Sequence, residues 1–302
     1  MTVRLGISPI GWTNDAIADL GADIPLETCL GDAAGAGFAG VELGRQFPHA
    51  PAEVQSALAP FGLVPITAWH SGYLSERDVD AEWPAALAHA KRLKALGCNV
   101  MVYGECGAGA EGGADAPLSR RPPDLALFPY ARRLSGLACR IAAIGLKLVY
   151  HHHVMHPVET ASQIDALMEA SDPSVQLLLD TGHLALAGDD YAAVMRRWWS
   201  RIGHIHLKDI RRATLETMDR TTTTFDDGVR LGMFTVPGDG DLDFAPVAEQ
   251  IAQAGYGGWI VVEAEQDPKN AAPAVMANTA FAYITRLFDA LGIKLEGHHE
   301  DR

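Results

Sequence analysis

The stretch Leu177-Leu178-Leu179-Asp180-Thr181-Gly182-His183 decides how this chain folds. Three consecutive leucines suit a strand covered on both faces, as in a parallel sheet flanked by helices. The run then stops at an acid, a glycine and a histidine. In parallel α/β folds, ligands and chemistry collect beyond the carboxyl ends of the strands. Asp180 and His183 therefore stand where a site is expected, and other strands that end in the same way would complete it.

A repeating unit surrounds that stretch: an Ala-rich helical segment, a glycine, then a short apolar strand. It reads Ala36-Gly37-Phe38-Ala39-Gly40-Val41-Glu42 and Phe61-Gly62-Leu63-Val64-Pro65-Ile66. It returns as Leu96-Gly97-Cys98-Asn99-Val100-Met101-Val102-Tyr103 and as Ile144-Gly145-Leu146-Lys147-Leu148-Val149-Tyr150. Ala254-Gly255-Tyr256-Gly257-Gly258-Trp259-Ile260-Val261-Val262-Glu263 is its last copy. Glycine just past a helix end supplies the left-handed cap, and the strand follows at once. Adding 4–8, 175–180 and 202–207 gives eight strands. Trp83, Leu87, Ala90, Leu93 and Leu96 recur at helical spacing, and 125–143, 158–169, 191–199, 244–254 and 275–291 read similarly. Strict alternation implies parallel strands joined by right-handed crossovers. Eight of each predict an α/β fold, a single (β/α)8 TIM barrel. No linker divides it, so one domain over 1–302 is expected. Three connections are long, 11–22, 104–124 and 209–241, and all follow strands. They are expected on the catalytic face as lids or specificity elements, with disorder as the plainer reading of Thr221-Thr222-Thr223-Thr224. The tail 297–302 is expected to fray.

Composition excludes several classes. The 302 residues are 48% hydrophobic and 21% charged, which suits a compact soluble protein. A net charge of −14 argues against nucleic acid, whose phosphates need a basic groove. No apolar run approaches the roughly 20 residues that span a bilayer, so no membrane partner is expected. The first residues enter a strand-like segment without a signal peptide. Cys29, Cys98, Cys106 and Cys139 form no CxxC pair and read as reduced, which suggests a cytoplasmic location. An apolar surface at Trp198-Trp199 would suit a homo-oligomer, unless both rings face the barrel.

The strand ends carry ligand-type residues almost throughout: Glu42, Trp69-His70, Tyr103-Gly104-Glu105, His151-His152-His153, Asp180, His206 and Glu263. A single such residue is more often structural than functional. A closed barrel changes this, because it gathers the strand ends at one mouth. Imidazole and carboxylate together suit Mn²⁺, Fe²⁺, Co²⁺ or Zn²⁺ better than Ca²⁺ or Mg²⁺. Strand alternation puts His151 and His153 on one face and His152 on the other. His204 and His206 share a face, the latter nearer the mouth, and Lys208 continues it toward either an oxyanion or solvent. Glu263 is favoured over Glu265 because it ends the apolar run. Pro237-Gly238-Asp239-Gly240-Asp241 is glycine-rich, but its acids would repel phosphate. It reads as a turn leading to a helix N-cap.

At these residues the sequence resembles the xylose isomerase-like TIM-barrel superfamily of sugar isomerases, epimerases and dehydratases, over essentially the whole chain. Asp180-Thr181-Gly182-His183, His204-Ile205-His206-Leu207-Lys208-Asp209, Pro237-Gly238-Asp239-Gly240 and Gly255-Tyr256-Gly257-Gly258-Trp259 carry the resemblance. Gly6-Ile7-Ser8-Pro9-Ile10-Gly11-Trp12-Thr13-Asn14-Asp15 and Val261-Val262-Glu263-Ala264-Glu265-Gln266-Asp267-Pro268 are similar to inosose dehydratases of myo-inositol catabolism. The resemblance implies one divalent ion, Mn²⁺ or Co²⁺, held by His151, Asp180, His206 and Glu263. Many members carry Glu where this chain has His151, so His151, His153 or a water fills that place. It also implies substrate contacts from His183 and Arg212, and glutathione as an activator. Trp69, His70 and Asn14 are further candidates for substrate binding. The expected reaction is loss of water from 2-keto-myo-inositol through a metal-stabilised enolate, with His153, His183, Glu105 and Lys208 as acid/base candidates. A sugar or ketose isomerase or epimerase would use the same metal and the same enolate without losing water. An endonuclease would need basic clusters that are absent here, and a non-catalytic sugar-binding barrel would not need so many catalytic side chains.

Overall fold

A computed structural model describes residues 2–107 and 115–296. Its strands are β1 (Thr2–Ile7), β2 (Gly40–Leu43), β3 (Val64–Gly72), β4 (Val100–Glu105), β5 (Lys147–His151), β6 (Val175–Asp180), β7 (Ile202–Leu207), β8 (Asp209–Ile210), β9 (Phe234–Thr235), β10 (Trp259–Val262) and β11 (Lys294–Glu296). The helices are α1 (Leu26–Ala36), α2 (Pro51–Leu58), α3 (Val79–Ala95), α4 (Leu127–Ile144), α5 (Ala161–Ala170), α6 (Thr181–Ala187), α7 (Tyr191–Trp198), α8 (Arg212–Glu216), α9 (Phe225–Leu231), α10 (Ala245–Ala254) and α11 (Pro273–Asp289). The main sheet runs β10-β7-β6-β5-β4-β3-β2-β1, and β10 also pairs with β1, so the eight strands close into a (β/α)8 barrel. β11 adds beside β1 in parallel.

The glycines expected to cap helices do so. Gly37, Gly62, Gly97, Gly145 and Gly255 all adopt positive φ immediately before a strand. A side chain there would strain the turn.

The chain packs as two compact units. One comprises residues 1–66, 206–219 and 226–302, the other 67–205 and 220–225. In the second, Val100 and Val102 of β4, Val149 of β5 and Leu178 of β6 form a buried apolar cluster. In the first, Ile66, Trp259 and Val261 form another, with Ala39 packed against it. Leu177, Leu178 and Leu179 are all fully buried, as a strand covered on both faces requires.

Three expectations change. β6 leads straight into α6, a helix that its Thr-Gly-His opening does not announce. The expected helix over 158–169 starts instead at Ala161, because Thr160 and Gln163 form a capping box. The connection 209–241 is largely ordered: β8 and β9 pair antiparallel, and α8 and α9 lie between them. Thr224 of the threonine run bridges Pro117. Part of the 104–124 connection, 108–114, and the tail 297–302 lie outside the described residues. Trp198 and Trp199 are half-buried, and Trp198 donates to Asp165 at 2.6 Å. Among the described residues, no helix is long and apolar enough to cross a membrane.

Candidate active site

In the unit built from 67–205, the ends of β5 and β6 carry the densest chemistry. Asp180 ends β6 and caps α6: its carboxylate accepts the backbone N–H of His183 at 2.9 Å. The Asp-Thr-Gly-His order makes this possible, since an acid is a good N-cap and small residues let the first turn close tightly. His183 is thereby held in the opening turn of α6, fully buried. His151 Nε2 lies 3.5 Å from Asp180 Oδ2. His151, Asp180 and His183 each offer a ligand atom within 4.8 Å of the others. On the other side of β5, His152 Nε2 accepts the backbone N–H of Asp180 at 3.1 Å. That bond requires the His152 proton on Nδ1, and it separates His152 from its neighbours as strand alternation predicts.

Further histidines extend this cluster. The rings of His153 and His183 are 3.8 Å apart, and those of His153 and His156 are 4.5 Å apart. His153 Nδ1 donates to the Val154 carbonyl at 2.7 Å, and His156 Nδ1 donates to the Glu105 carbonyl at 2.9 Å. Burial, helped by the nearby His151, pushes His156 down to about 4, so it is neutral at pH 7. Trp69 is 38% exposed and meets His151 edge-on at 5.4 Å. It lies across Gly104, where a Cβ would overlap the indole.

Two expected site residues behave differently. His70, next to Trp69, packs against α3: its Nε2 donates to Glu82 at 2.9 Å, and its ring lies near His89. Its neighbour in β3 is the exposed one, because side chains alternate along a strand. His70 thus ties β3 to α3. Glu105 is fully buried and accepts from Ser75 Oγ at 2.8 Å, Tyr103 OH at 2.8 Å and Gly107 N–H at 3.0 Å. Burial, then the Glu105 charge, drives the Tyr103 hydroxyl well above its ordinary range, so it stays a donor.

In the other unit, β2, β7 and the residues after β10 bring a second set together. His206 Nε2 stands 3.1 Å from Glu42 Oε1, and His206 Nδ1 stands 3.1 Å from Glu263 Oε2. Lys208 is fully buried, with Nζ 2.6 Å from Glu263 Oε1 and 3.1 Å from Glu265 Oε2. A buried ammonium needs such pairing, so the solvent-facing reading of Lys208 is wrong. Asn14 is buried and accepts the backbone N–H groups of Ala16 and Ile17, which shapes the turn after β1. Arg212 is exposed at the start of α8, its backbone N–H donated to Asp241. The Pro237–Asp241 stretch is a turn, as expected, with Gly238 at positive φ and Asp239 bound by Arg211 and Thr235.

Sequence reasoning counted Glu42 among the ligand-type strand ends but gave it no specific role, and it missed His156. His156 follows Met155, a non-glycine residue at positive φ, so a backbone kink rather than strand spacing places it. Buried imidazoles beside a buried carboxylate are the donor set of a divalent ion of the Mn²⁺ to Zn²⁺ group.

A family model described as xylose isomerase-like TIM barrel matches residues 30–284. The chain belongs to that family. It is 41% identical over 297 residues to the rhizopine catabolism protein MocC of Rhizobium meliloti, covering 98% of this chain and 91% of that one. It is also 41% identical over 290 residues to an inosose dehydratase of Geobacillus thermodenitrificans, covering 93% and 96%. Among solved members of the fold, the IolI protein with a bound zinc atom superposes with a TM-score of 0.67 at 14% identity, covering 96% of this chain and 99% of that one. D-allulose 3-epimerase from Methylomonas sp., in complex with D-allulose, gives 0.65 at 17% identity, covering 94% and 97%.

Proposed function

We propose that this protein is a hydro-lyase that removes water from 2-keto-myo-inositol with the help of a divalent ion. The observation that carries this reading is the near full-length identity of about two residues in five to inosose dehydratases. His151 and Asp180, with His206 and Glu263, are the ligands this family reading assigns, and Mn²⁺ or Co²⁺ is the proposed ion. Bound there, the ion would supply Lewis acidity that stabilises negative charge on the ketone oxygen as the α-proton leaves.

The protein's own side chains move the protons. His153 donates from Nδ1 to a carbonyl, so its neutral ring carries the lone pair on Nε2. His183, 3.8 Å away ring to ring, is held by the α6 cap. In this reading one of the pair takes the α-proton and the other protonates the β-hydroxyl. The α C–H and β C–O bonds break, a C=C bond forms, and water leaves. The enol product then tautomerises to a 1,2-dione. Histidine suits both roles near neutrality. Glu105 already accepts three hydrogen bonds, which hold its carboxylate against Ser75, Tyr103 and Gly107. Trp69 offers its indole to the C–H face of a cyclic polyol. The free state of all four cysteines suits a reducing compartment, the cytoplasm in this proposal.

The test strips the protein with a chelator, restores Mn²⁺ or Co²⁺, and follows 2-keto-myo-inositol by ultraviolet absorbance and mass spectrometry. Metal-dependent loss of one water with appearance of the dione is expected. Asp180→Ala should lower that rate by at least about 10²-fold while the circular dichroism stays unchanged. Carbonyl transfer or inversion without loss of water would replace the dehydratase reading with an isomerase or epimerase.

A further inference from the structure

His206 and Glu263 are each gripped from behind. Glu42 Oε1 stands at one end of the His206 ring, 3.1 Å from Nε2. Lys208 Nζ stands on one oxygen of Glu263, 2.6 Å from Oε1. The opposite atoms of the two side chains, His206 Nδ1 and Glu263 Oε2, then face each other at 3.1 Å. An ionised carboxylate can only accept, so a neutral ring whose Nδ1 faces a cation keeps its proton on Nε2, where Glu42 accepts it. In that tautomer the Nδ1 lone pair and Glu263 Oε2 would repel at 3.1 Å unless a cation lay between them. The remaining neighbours reinforce the arrangement. Glu265 Oε2 lies 3.1 Å from Lys208 Nζ, and the ammonium stands 4.8 Å from the centre of the Phe234 ring.

We infer that Glu42 is a positioning residue: it fixes the ring orientation and tautomer of His206 so that Nδ1, with Glu263 Oε2, is presented to a divalent ion. The inference rests on the metal-dependent reading above and adds a residue and two ligating atoms to it. A carboxylate behind a ligating imidazole raises its basicity and locks its direction, and loss of such a partner typically costs 10- to 100-fold in metal affinity.

The test is Mn²⁺ affinity, measured on chelator-stripped protein by competition with a fluorescent chelator, beside the thermal unfolding of each metal-free variant. Glu42→Ala is expected to weaken Mn²⁺ binding by about 10- to 100-fold. Glu42→Gln keeps an oxygen that accepts from Nε2 and is expected to restore affinity to within a few-fold of the parent. An unfolded Glu42→Ala variant would leave Glu42→Gln to decide, supplemented by the nitrogen chemical shifts of His206. A well-folded Glu42→Ala protein with parental affinity would overturn the inference alone. Loss of all binding in Glu42→Gln, to the extent seen in Asp180→Ala, would also overturn it and make Glu42 a ligand. If the parent binds no Mn²⁺, the metal reading itself falls, and this inference with it.

Discussion

His89 illustrates how one residue can make stability depend on pH. It lies in α3, and its Nε2 donates to the Ala68 carbonyl at 3.2 Å. Burial, then the neighbouring His70, pushes its pKa down to about 4 from 6.5. Between those values the unfolded chain binds a proton and the folded chain does not. Stability from this group is therefore full above pH 6.5 and falls as the pH drops toward 4. Each pH unit in that window weakens the fold by about 1.4 kcal/mol at most. His89→Gln keeps a donor but cannot take up the proton. Its melting temperature relative to the parent should rise on acidification from pH 7 to pH 5, as followed by circular dichroism. A constant difference across that range would remove His89 from the acid response.

At the scale of elements, the join between β3 and α3 depends on one buried carboxylate. Glu82 sits in the first turns of α3 and accepts from His70 at 2.9 Å, Arg77 Nε at 2.6 Å and the Tyr73 backbone N–H at 3.3 Å. Burial alone would raise its pKa, but the His70 and Arg77 bonds outweigh it and hold the carboxyl below its usual range. Its cost of burial is met by these partners, so removing it strands them. Glu82→Ala should destabilise the protein by about 3 kcal/mol, near the low end for a broken buried pair because Arg77 can return to water. Urea unfolding gives that value directly, and a change below about 0.5 kcal/mol, typical of an exposed surface position, would show that the clamp is dispensable. The same join aims Trp69: the strand that turns His70 toward α3 turns the indole the other way.

At the scale of the whole molecule, we propose that the chain unfolds as one domain. β3 and β7 each contribute residues to both compact units, so the boundary between the units runs through strands rather than through a linker. Scanning calorimetry of the metal-free protein should show one transition with matching calorimetric and van't Hoff enthalpies. Mn²⁺ at about 100 times its dissociation constant should add about 2.7 kcal/mol, a rise of several degrees for a protein of this size. Two separated transitions would divide the chain, and an unmoved midpoint would argue against a site formed only in the folded state.

Much of this architecture was written locally. Three leucines before Asp180 declare a strand covered on both faces, because no half-exposed strand would carry them. Glycines such as Gly37 and Gly145 mark where helices end, because the left-handed cap requires them. Asp180, Thr181, Gly182 and His183 are a strand end and a helix cap in one motif, so the link between Asp180 and His183 is a short-range property of the chain. Lys208 could not be read in this way. Its isolation from water depends on Glu263 and Glu265, more than fifty residues away in sequence, and on the segment after β10 lying beside its own. The same holds for Glu42 and His206, separated by 164 positions and joined at 3.1 Å. The tie from His70 to Glu82 was not legible either, because alternation fixes only that neighbouring side chains point to opposite faces. Which face meets α3 was decided by where Glu82 stands once the helix has packed. Local spacing therefore determined the strands, the caps and the kinds of ligand at their ends. Tertiary packing alone decided which charges meet, since a buried charge is tolerable only where the fold delivers its partner.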